Sequence, residues 1–523
     1  MKKNNPYLAQ VLAVLPRLLA LYDVDPTSES FGQGDRYRWA WKLIDFGNGT
    51  FQGAANGIAR LIKHQLLPVE FSEQKMLERI DAIFLGAKSL TRKNGSLEEA
   101  MPYESSFCVT ALVAYDLLTA VELLQETHWG EEQVKHGLDV VRPMIGFLMM
   151  ADETHALISN HLATAAVALY KWQALTGEAT EVRGKMFLDR ILRHQSQEGW
   201  FSEYEGADPG YQSLCTYYLA DLHRLRPDLG MAEPLAESVN FLSYFAHPDG
   251  SFGGSYGSRN TRFYYPSGLE LLGGTNSEAE GLACFMRHSI TDRTTVRLDV
   301  MDEPNLIPMF NSYCWAAVLL DEKLAARATP AAAETVPAIR ANVFRREFPE
   351  AGLVVDKGLR HYTIVSWFKG GVCYHFDVQG SHIDHGVLAS GPVGEFYSTQ
   401  AYHPDNLVEI DDNKLVVDAP LTKMTKQLPD PFRFLLLRIL CLTVMRSTCL
   451  GRLVKKMLVR LLITGKKKSE AMNRRVVVFG ETCSIKDDWR AGSSKLEKVS
   501  SDHPFHAIHM ASQGYWQRQD DLL

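Results

Sequence analysis

Residues 195–225 read QSQEGWFSEYEGADPGYQSLCTYYLADLHRL, a Gly- and aromatic-rich loop that runs directly into an apolar helix. The loop gathers Trp200, Phe201, Tyr204, Glu205, Asp208 and Tyr211. Flat aromatic faces beside hydrogen-bonding groups suit a sugar surface, although any single aromatic ahead of a helix more often serves packing or capping. In the helix, Leu214, Tyr217, Tyr218 and Leu222 recur at spacings of three to four, which predicts a buried stripe.

The same loop-to-helix wording recurs along the chain. Asn94-Gly95-Ser96, Ser159-Asn160-His161, Glu198-Gly199-Trp200, Asp249-Gly250-Ser251 and Asn311-Ser312-Tyr313 fall roughly 50 residues apart, each expected to lead into a helix. Helical pairs at such a period build solenoids or rings, and a ring of about six hairpins sets one group of loops around one mouth. Apolar runs at 107–124, 161–175, 283–286 and 315–320 extend the helical texture to about residue 330. Residues 331–350 read as a helical connector of mixed charge.

Beyond residue 350 the texture changes. Runs at 352–356, 362–368, 372–376, 407–410, 414–417 and 475–479 are short, β-branched or aromatic, and bounded by Gly, Asp and Asn. The fold class is therefore α+β and multidomain, with a helical ring over 1–330 and a β domain over 351–523. That domain is interrupted at 431–468 by PFRFLLLRILCLTVMRSTCLGRLVKKMLVRLLITGKKK. Placed on one helix, Arg438, Arg446, Arg452, Lys456 and Arg460 share a sector of about 120° among apolar residues, which predicts a basic amphipathic helix. Its longest uncharged run, 439–445, is far short of the ~20 residues that span a bilayer. It fits an anionic membrane surface, or a helix packed on the protein with its basic face in water.

The 523 residues carry 46% hydrophobic and 22% charged residues, an ordinary balance for a globular chain of two or three units. Between Arg433 and Arg475, twelve Lys or Arg face one acid, Glu470, for +11; against −7 overall, the remainder carries −18. That balance argues against nucleic acid as the main partner. The eight cysteines are scattered without a CxxC pair, which reads as reduced thiols. Residues 1–24 have a basic start, but Pro16 and Arg17 interrupt the apolar run and no small-residue cleavage site follows. An amphipathic first helix and a cytoplasmic, membrane-peripheral location are the expectation.

Asn160-His161 at a helix start, followed by EGWFSEYEGADPGYQSL with Tyr211 fifty residues on, resembles the heparinase II/III-like and alginate-lyase-like polysaccharide lyases. In those families an Asn-His pair precedes a Gly-Tyr at a similar distance, and the likeness covers about residues 90–290. It implies an (α/α) toroid followed by an antiparallel β-sandwich, and β-elimination on a uronic-acid-containing polysaccharide or oligosaccharide. A link to exopolysaccharide metabolism is expected from a departure instead: most relatives are secreted or periplasmic, and an export signal is not read here. The resemblance also implies that Asn160 neutralises the uronate carboxylate, that His161 neutralises or acts as base, and that Tyr211 serves as base and acid. These groups suit the reaction because charge grows on the carboxylate as the neighbouring carbon loses its proton. Standing alone, Asn-His would as readily be a helix cap.

Further candidates for the substrate groove are Trp200, Tyr204 and Glu205, and, in HPDGSFGGSYGSRNTRFYYPSG from 247 to 268, Arg259, Arg262, Tyr264 and Tyr265. The guanidinium groups match substrate carboxylates, although each arginine alone reads equally as a surface charge. Trp39 and Trp41, with Lys42, Asp45, Tyr103 and Glu104, are weaker members of the set. Residues 380–386, GSHIDHG, carry His382, Asp384 and His385. The related lyases often place a His-rich strand there, sometimes with zinc, but alternation puts His385 on the opposite face from the other two. The chain also lacks the family's Gly-His-x-His-Ala-Asp wording. Elimination itself needs no cofactor.

Other classes compete. Gln195 to Trp200 has a terpene-cyclase-like pattern, but no acidic DxDD cluster stands in the helical part. A glycoside hydrolase on the same ring would draw a carboxylate pair from Glu203, Glu205 and Asp208. A non-catalytic glycan-binding protein at a membrane surface is the remaining alternative.

Overall fold

The protein is described by a computed structural model covering residues 5–40, 44–154, 156–204, 206–326, 336–424, 430–459, 468–490, 492 and 495–499. The helical part contains α1 (Pro6–Leu19), α2 (Arg36–Trp39), α3 (Ala55–Lys63), α4 (Glu73–Leu90), α5 (Phe107–Leu124), α6 (Glu131–Met150) and α7 (Ser159–Thr176). It continues with α8 (Glu181–Arg193), α9 (Pro209–Leu225), α10 (Ala232–Ser243), α11 (Ser267–Leu272), α12 (Ser277–Asp292) and α13 (Glu303–Ala325). Helices α3, α5, α7, α9, α11 and α13 pack each against the next, and α13 returns to α3. This closes the expected ring of helical hairpins, with α4, α6, α8, α10 and α12 outside and α1 laid along α13.

Position in the ring explains the sequence texture. An inner helix meets protein on every side, so in α7 every residue from Leu162 to Trp172 is buried. The stripe expected in α9 is likewise a fully enclosed run from Gln212 to Leu222. Helix α5 is long and apolar enough to cross a membrane, with a mean hydropathy of 1.8, yet 83% of it is buried inside the ring. Outer α8 buries only Gly184, Phe187, Leu188 and Ile191, one face of an amphipathic helix. The loop expected at Asn311-Ser312-Tyr313 is instead the middle of α13. Its polar residues are satisfied inside the ring: the Asn311 amide donates to the Gly53 carbonyl at 2.9 Å, and the Ser312 hydroxyl pairs with Ser267.

Two antiparallel sheets follow. The first orders β1 (Phe344–Phe348), β2 (Leu353–Lys357), β3 (Tyr362–Ser366), β4 (Val372–Asp377) and β5 (Gly380–Asp384) consecutively. The second contains β6 (Leu388–Ser390), β7 (Phe396–Ser398), β8 (Leu407–Ile410), β9 (Lys414–Met424), β10 (Lys468–Val478), β11 (Ser484–Arg490) and β12 (Glu497–Val499). Its order is β11-β10-β9-β7-β6-β12, with β8 also on β9. One face of the first sheet, including Leu353, Val355, Tyr362, Ile364 and Tyr374, joins the core of the ring. The other, with Val354, Val365 and Cys373, packs on Leu415, Val417 and Val477 of the second sheet. Covered on both faces, β3 is buried along its whole length and shows no polar alternation.

Two further segments differ from expectation. Part of the connector expected to be helical is strand β1, because Phe344 and Phe348 alternate onto Tyr244 of α10's end while the backbone pairs with β2. The basic segment is two helices, α14 (Pro431–Leu442) and α15 (Thr448–Val459), joined by a tight turn at Val444–Arg446, so no single basic face runs its length. Arg460 lies outside the described residues, as does the Arg452 side chain.

Candidate active site

The loops that precede the inner helices lie at one mouth of the ring, and backbone hydrogen bonds tie them to one another. The backbone N–H of Ser159, at the head of α7, donates to the Ser202 carbonyl at 3.1 Å. Tyr204 N–H donates to the Leu157 carbonyl, and Ile158 bridges Glu203, so the 194–208 loop is stitched to the start of α7. Tyr204 reaches that position with φ 59°, a left-handed backbone uncommon for a bulky residue. Asp208 caps α9, accepting from Tyr211 N–H at 3.1 Å through one oxygen and from Arg259 N–H at 2.9 Å and Thr261 N–H at 3.3 Å through the other. One buried carboxylate thus sets the first turn of α9 and the 253–263 loop in register.

On this frame the side chains meet. Asn160 Nδ2 donates to Glu203 Oε2 at 2.7 Å, and Arg259 Nη1 donates to Glu203 Oε1 at 3.1 Å. The Arg259 guanidinium lies 4.2 Å from the centre of the Tyr204 ring and 4.8 Å from that of Tyr211. His161 Nδ1 is 2.7 Å from Oε2 of the buried Glu153. Asn160 is buried, while His161 and Tyr211 are half-buried. The arrangement therefore links Asn160 and Tyr211 through Glu203 and Arg259, with His161 adjoining Asn160 on α7.

Burial decides the electrostatics. It pushes the Glu203 carboxyl up to about 8, against the Arg259 charge and the Asn160 hydrogen bond, which pull it down. It pushes the Tyr204 phenol up to about 12, and raises Tyr211 further still despite the nearby guanidinium. Tyr211 rests as a neutral phenol, as an exposed tyrosine would, and burial makes it the weaker acid.

Other candidates have structural work. The Trp200 indole donates to Glu198 at 2.9 Å, and Glu198 accepts from the N–H groups of Glu350 and Ala351, fastening the ring to the β domain. Trp39 donates to the Leu21 carbonyl at 2.7 Å. Tyr264 and Tyr265 are buried in the ring's core, and Asp45 pairs with Arg438. Of these, Trp200, Trp39, Tyr264 and Asp45 do not join the cluster, whereas Tyr265 lies near enough for its phenol to act on that of Tyr211. Trp41, Lys42 and Glu205 lie outside the described residues.

The β domain reaches the same loop from across the seam. Arg262 Nη2 donates to the Tyr374 hydroxyl at 3.2 Å, that hydroxyl accepts from Ser255 N–H at 3.0 Å, and Ser255 Oγ lies 2.9 Å from His385 Nδ1. Lys369 donates to Asn260 at 2.8 Å. The three residues considered for zinc are not brought together. Asp384 pairs with the buried Arg475 at 2.6 Å, His385 turns to Ser255, and His382 is exposed with Asp377 4.0 Å away. Among the described residues no group of three His, Cys, Asp or Glu is placed to hold a metal ion.

Reading the sequence missed Glu153, which carries no motif and meets His161 only through the fold. Glu203 was visible only as a hydrolase carboxylate, whereas its partners here are an amide and a guanidinium.

No family model matches the chain, and no curated protein matches it. Solved structures do. The chondroitin AC lyase of Streptomyces coelicolor A3, solved in complex with chondroitin sulphate, aligns with a TM-score of 0.52 at 11% identity over 92% of this chain and 66% of that one. A Paenibacillus xanthan lyase aligns at 0.48 and 11% over 82% of this chain, which spans 46% of that protein. Heparinase III aligns at 0.42 and 12% over 92% of this chain and 77% of that one. The chain thus has the fold of a toroid polysaccharide lyase, a helical ring followed by antiparallel sheets.

Proposed function

We propose that this chain cleaves a uronic-acid-containing polysaccharide or oligosaccharide by β-elimination at the mouth of the ring. The observation that carries it is the convergence of Asn160 and Tyr211, from two inner helices, on one Glu203–Arg259 pair with His161 alongside. In this reading the Asn160 amide and the Arg259 charge stabilise the substrate carboxylate as negative charge builds on it. His161, oriented by Glu153, removes the proton next to the carboxylate. The electron pair forms the new carbon–carbon double bond, the bond to the leaving glycosidic oxygen breaks, and that oxygen takes the Tyr211 proton. Tyr211 takes the acid role because His161 already supplies the base and the resting phenol carries a proton; burial makes it a weaker acid than a solvated phenol, so its proton moves as charge builds on the leaving oxygen.

A hydrolase needs a second carboxylate facing the sugar. Of the carboxylates considered beside Glu203, Asp208 is fully buried and occupied by three backbone N–H groups, and Glu205 lies outside the described residues, so the products decide between the two reactions. The deciding experiment is a screen of acidic polysaccharides for products absorbing in the ultraviolet. Unsaturated ends that disappear with Tyr211→Phe support elimination; saturated reducing ends would establish hydrolysis.

A further inference from the structure

We propose that the α14–α15 pair is a docking element that seats the ring's mouth against an anionic lipid bilayer. The observation is a reversal of the ordinary arrangement of a surface helix. In α14, Phe432, Leu435, Leu436, Ile439 and Leu442 recur at spacings of three, one, three and three, the stripe that normally faces a core. Here it faces water: Phe432 is 76% exposed, Leu435 57% and Ile439 50%. Helix α15 repeats the pattern, with Leu450, Leu453 and Met457 48%, 60% and 50% exposed.

The inward side is anchored. Cys441 and Met445 are buried, Arg438 Nη1 pairs with Asp45 at 2.7 Å, and Arg446 Nη2 donates to the Tyr103 hydroxyl at 3.2 Å. The helices are thus held on the ring with their apolar stripes turned away from it. An exposed apolar surface of this extent marks an interaction site.

Charge identifies the occupant. Residues 431–459 hold six Lys or Arg and no acid; Arg438 and Arg446 face the ring, while Arg433 on α14 and Lys456 on α15 stand exposed beside the stripes. Apolar residues at the surface with Lys and Arg beside them are the pattern of a helix lying in the headgroup layer of anionic lipid. Spanning is excluded by length, because each helix has 12 residues and is about 18 Å long against a hydrocarbon core of about 30 Å.

The anchors also set the orientation. Asp45 precedes α3 and Tyr103 precedes α5, so both lie in loops leading to inner helices, on the mouth that carries Asn160 and Tyr211. Docking would therefore bring that mouth beside the bilayer. If the lyase reading holds, its substrate is a glycan held at that surface, but the docking rests on α14–α15 alone.

The test is co-sedimentation of the full chain with phosphatidylcholine vesicles carrying about a third phosphatidylglycerol, against phosphatidylcholine alone. The chain is expected to bind the anionic vesicles, ignore the neutral ones and dissociate as salt rises. Arg433→Gln with Lys456→Gln, both on exposed side chains, should weaken binding roughly 25-fold, about fivefold per charge. Leu435→Glu with Leu453→Glu should abolish it while the chain stays folded. Absence of binding at low salt would overturn the proposal, as would full binding by both variants. A concentration-dependent dimer that the glutamate pair dissolves, without vesicle binding, would make the face an interface between two copies. If the glutamate pair fails to fold, the glutamine pair decides. Product formation in vesicle-free solution reads the lyase assignment separately.

Discussion

Asn160 Nδ2 donates to Glu203 Oε2 at 2.7 Å, joining the first turn of α7 to a loop residue 43 positions away. Glu203 is also the partner of Arg259, so one carboxyl fixes both the amide and the guanidinium assigned to the substrate carboxylate. A buried group holding two others in place costs stability and supplies preorganisation, the combination expected where charge develops during reaction.

Glu203 should make stability fall as pH rises. Burial raises its folded pKa to about 8 from an ordinary 4.5, so the folded state keeps a proton that the unfolded chain loses. The contribution is fully present below about 4.5, declines between there and 8, and amounts to roughly 3–5 kcal/mol. Glu203→Gln cannot titrate, and urea unfolding across pH 5 to 8 should show a flatter dependence than the parent chain. Parallel curves would mean that Glu203 is ionised throughout.

Tyr211→Phe should fold normally, since no hydrogen bond of the phenol is needed to seat the ring against Phe263, and should lose about 10²- to 10⁴-fold in turnover. If Tyr211 is the acid, a substrate with a leaving group that needs no proton should restore much of the rate. An equal loss on both substrates would return the base role to Tyr211.

Asn160→Ala should lower kcat by more than it raises KM, by roughly two orders of magnitude, because its interaction strengthens with charge in the transition state. A change confined to KM would make Asn160 a binding residue only.

Arg475 holds the two sheets together. It is fully buried, donates to both oxygens of Asp487 at 2.8 Å and to Asp384 at 2.6 Å, and also reaches the Gly371 carbonyl. Burial would raise the Asp487 carboxyl, but the Arg475 hydrogen bond and charge hold it below the usual range. Arg475→Met should cost about 3–5 kcal/mol in denaturant melts, because two carboxylates lose their buried partner. A loss under 1 kcal/mol would show that water reaches them.

Gly206→Ala should open the seam between the ring and the β domain. A Cβ there would collide with the hydroxyl of Tyr402, a ring only 4% exposed that cannot swing aside freely. Limited proteolysis at the seam and loss of turnover with helical content unchanged are the expected results.

The architecture was legible in the order of residues alone. Helical periods, loops about 50 residues apart and the change to β-branched runs after residue 350 reflect local backbone preference and local burial, which neighbours along the chain encode. The sequence also placed Asn160 and Tyr211 at helix starts, because capping residues and glycines mark such positions. The tertiary structure decided what each face meets. Glu203 with Asn160 and Arg259 with Tyr211 are contacts between loops 43 and 48 residues apart, which no periodic pattern records, and Glu153 meets His161 only because the short α6–α7 loop folds back on the head of α7. Asn311-Ser312-Tyr313 looks like a loop because it is polar, yet lies inside α13, where other inner helices satisfy it. The apolar stripe of α14 is plain in the sequence, but a stripe specifies only that one face is alike along its length. Which way it turns depends on what the rest of the chain offers it, and here Asp45 and Tyr103 take the arginines and leave the leucines to the outside.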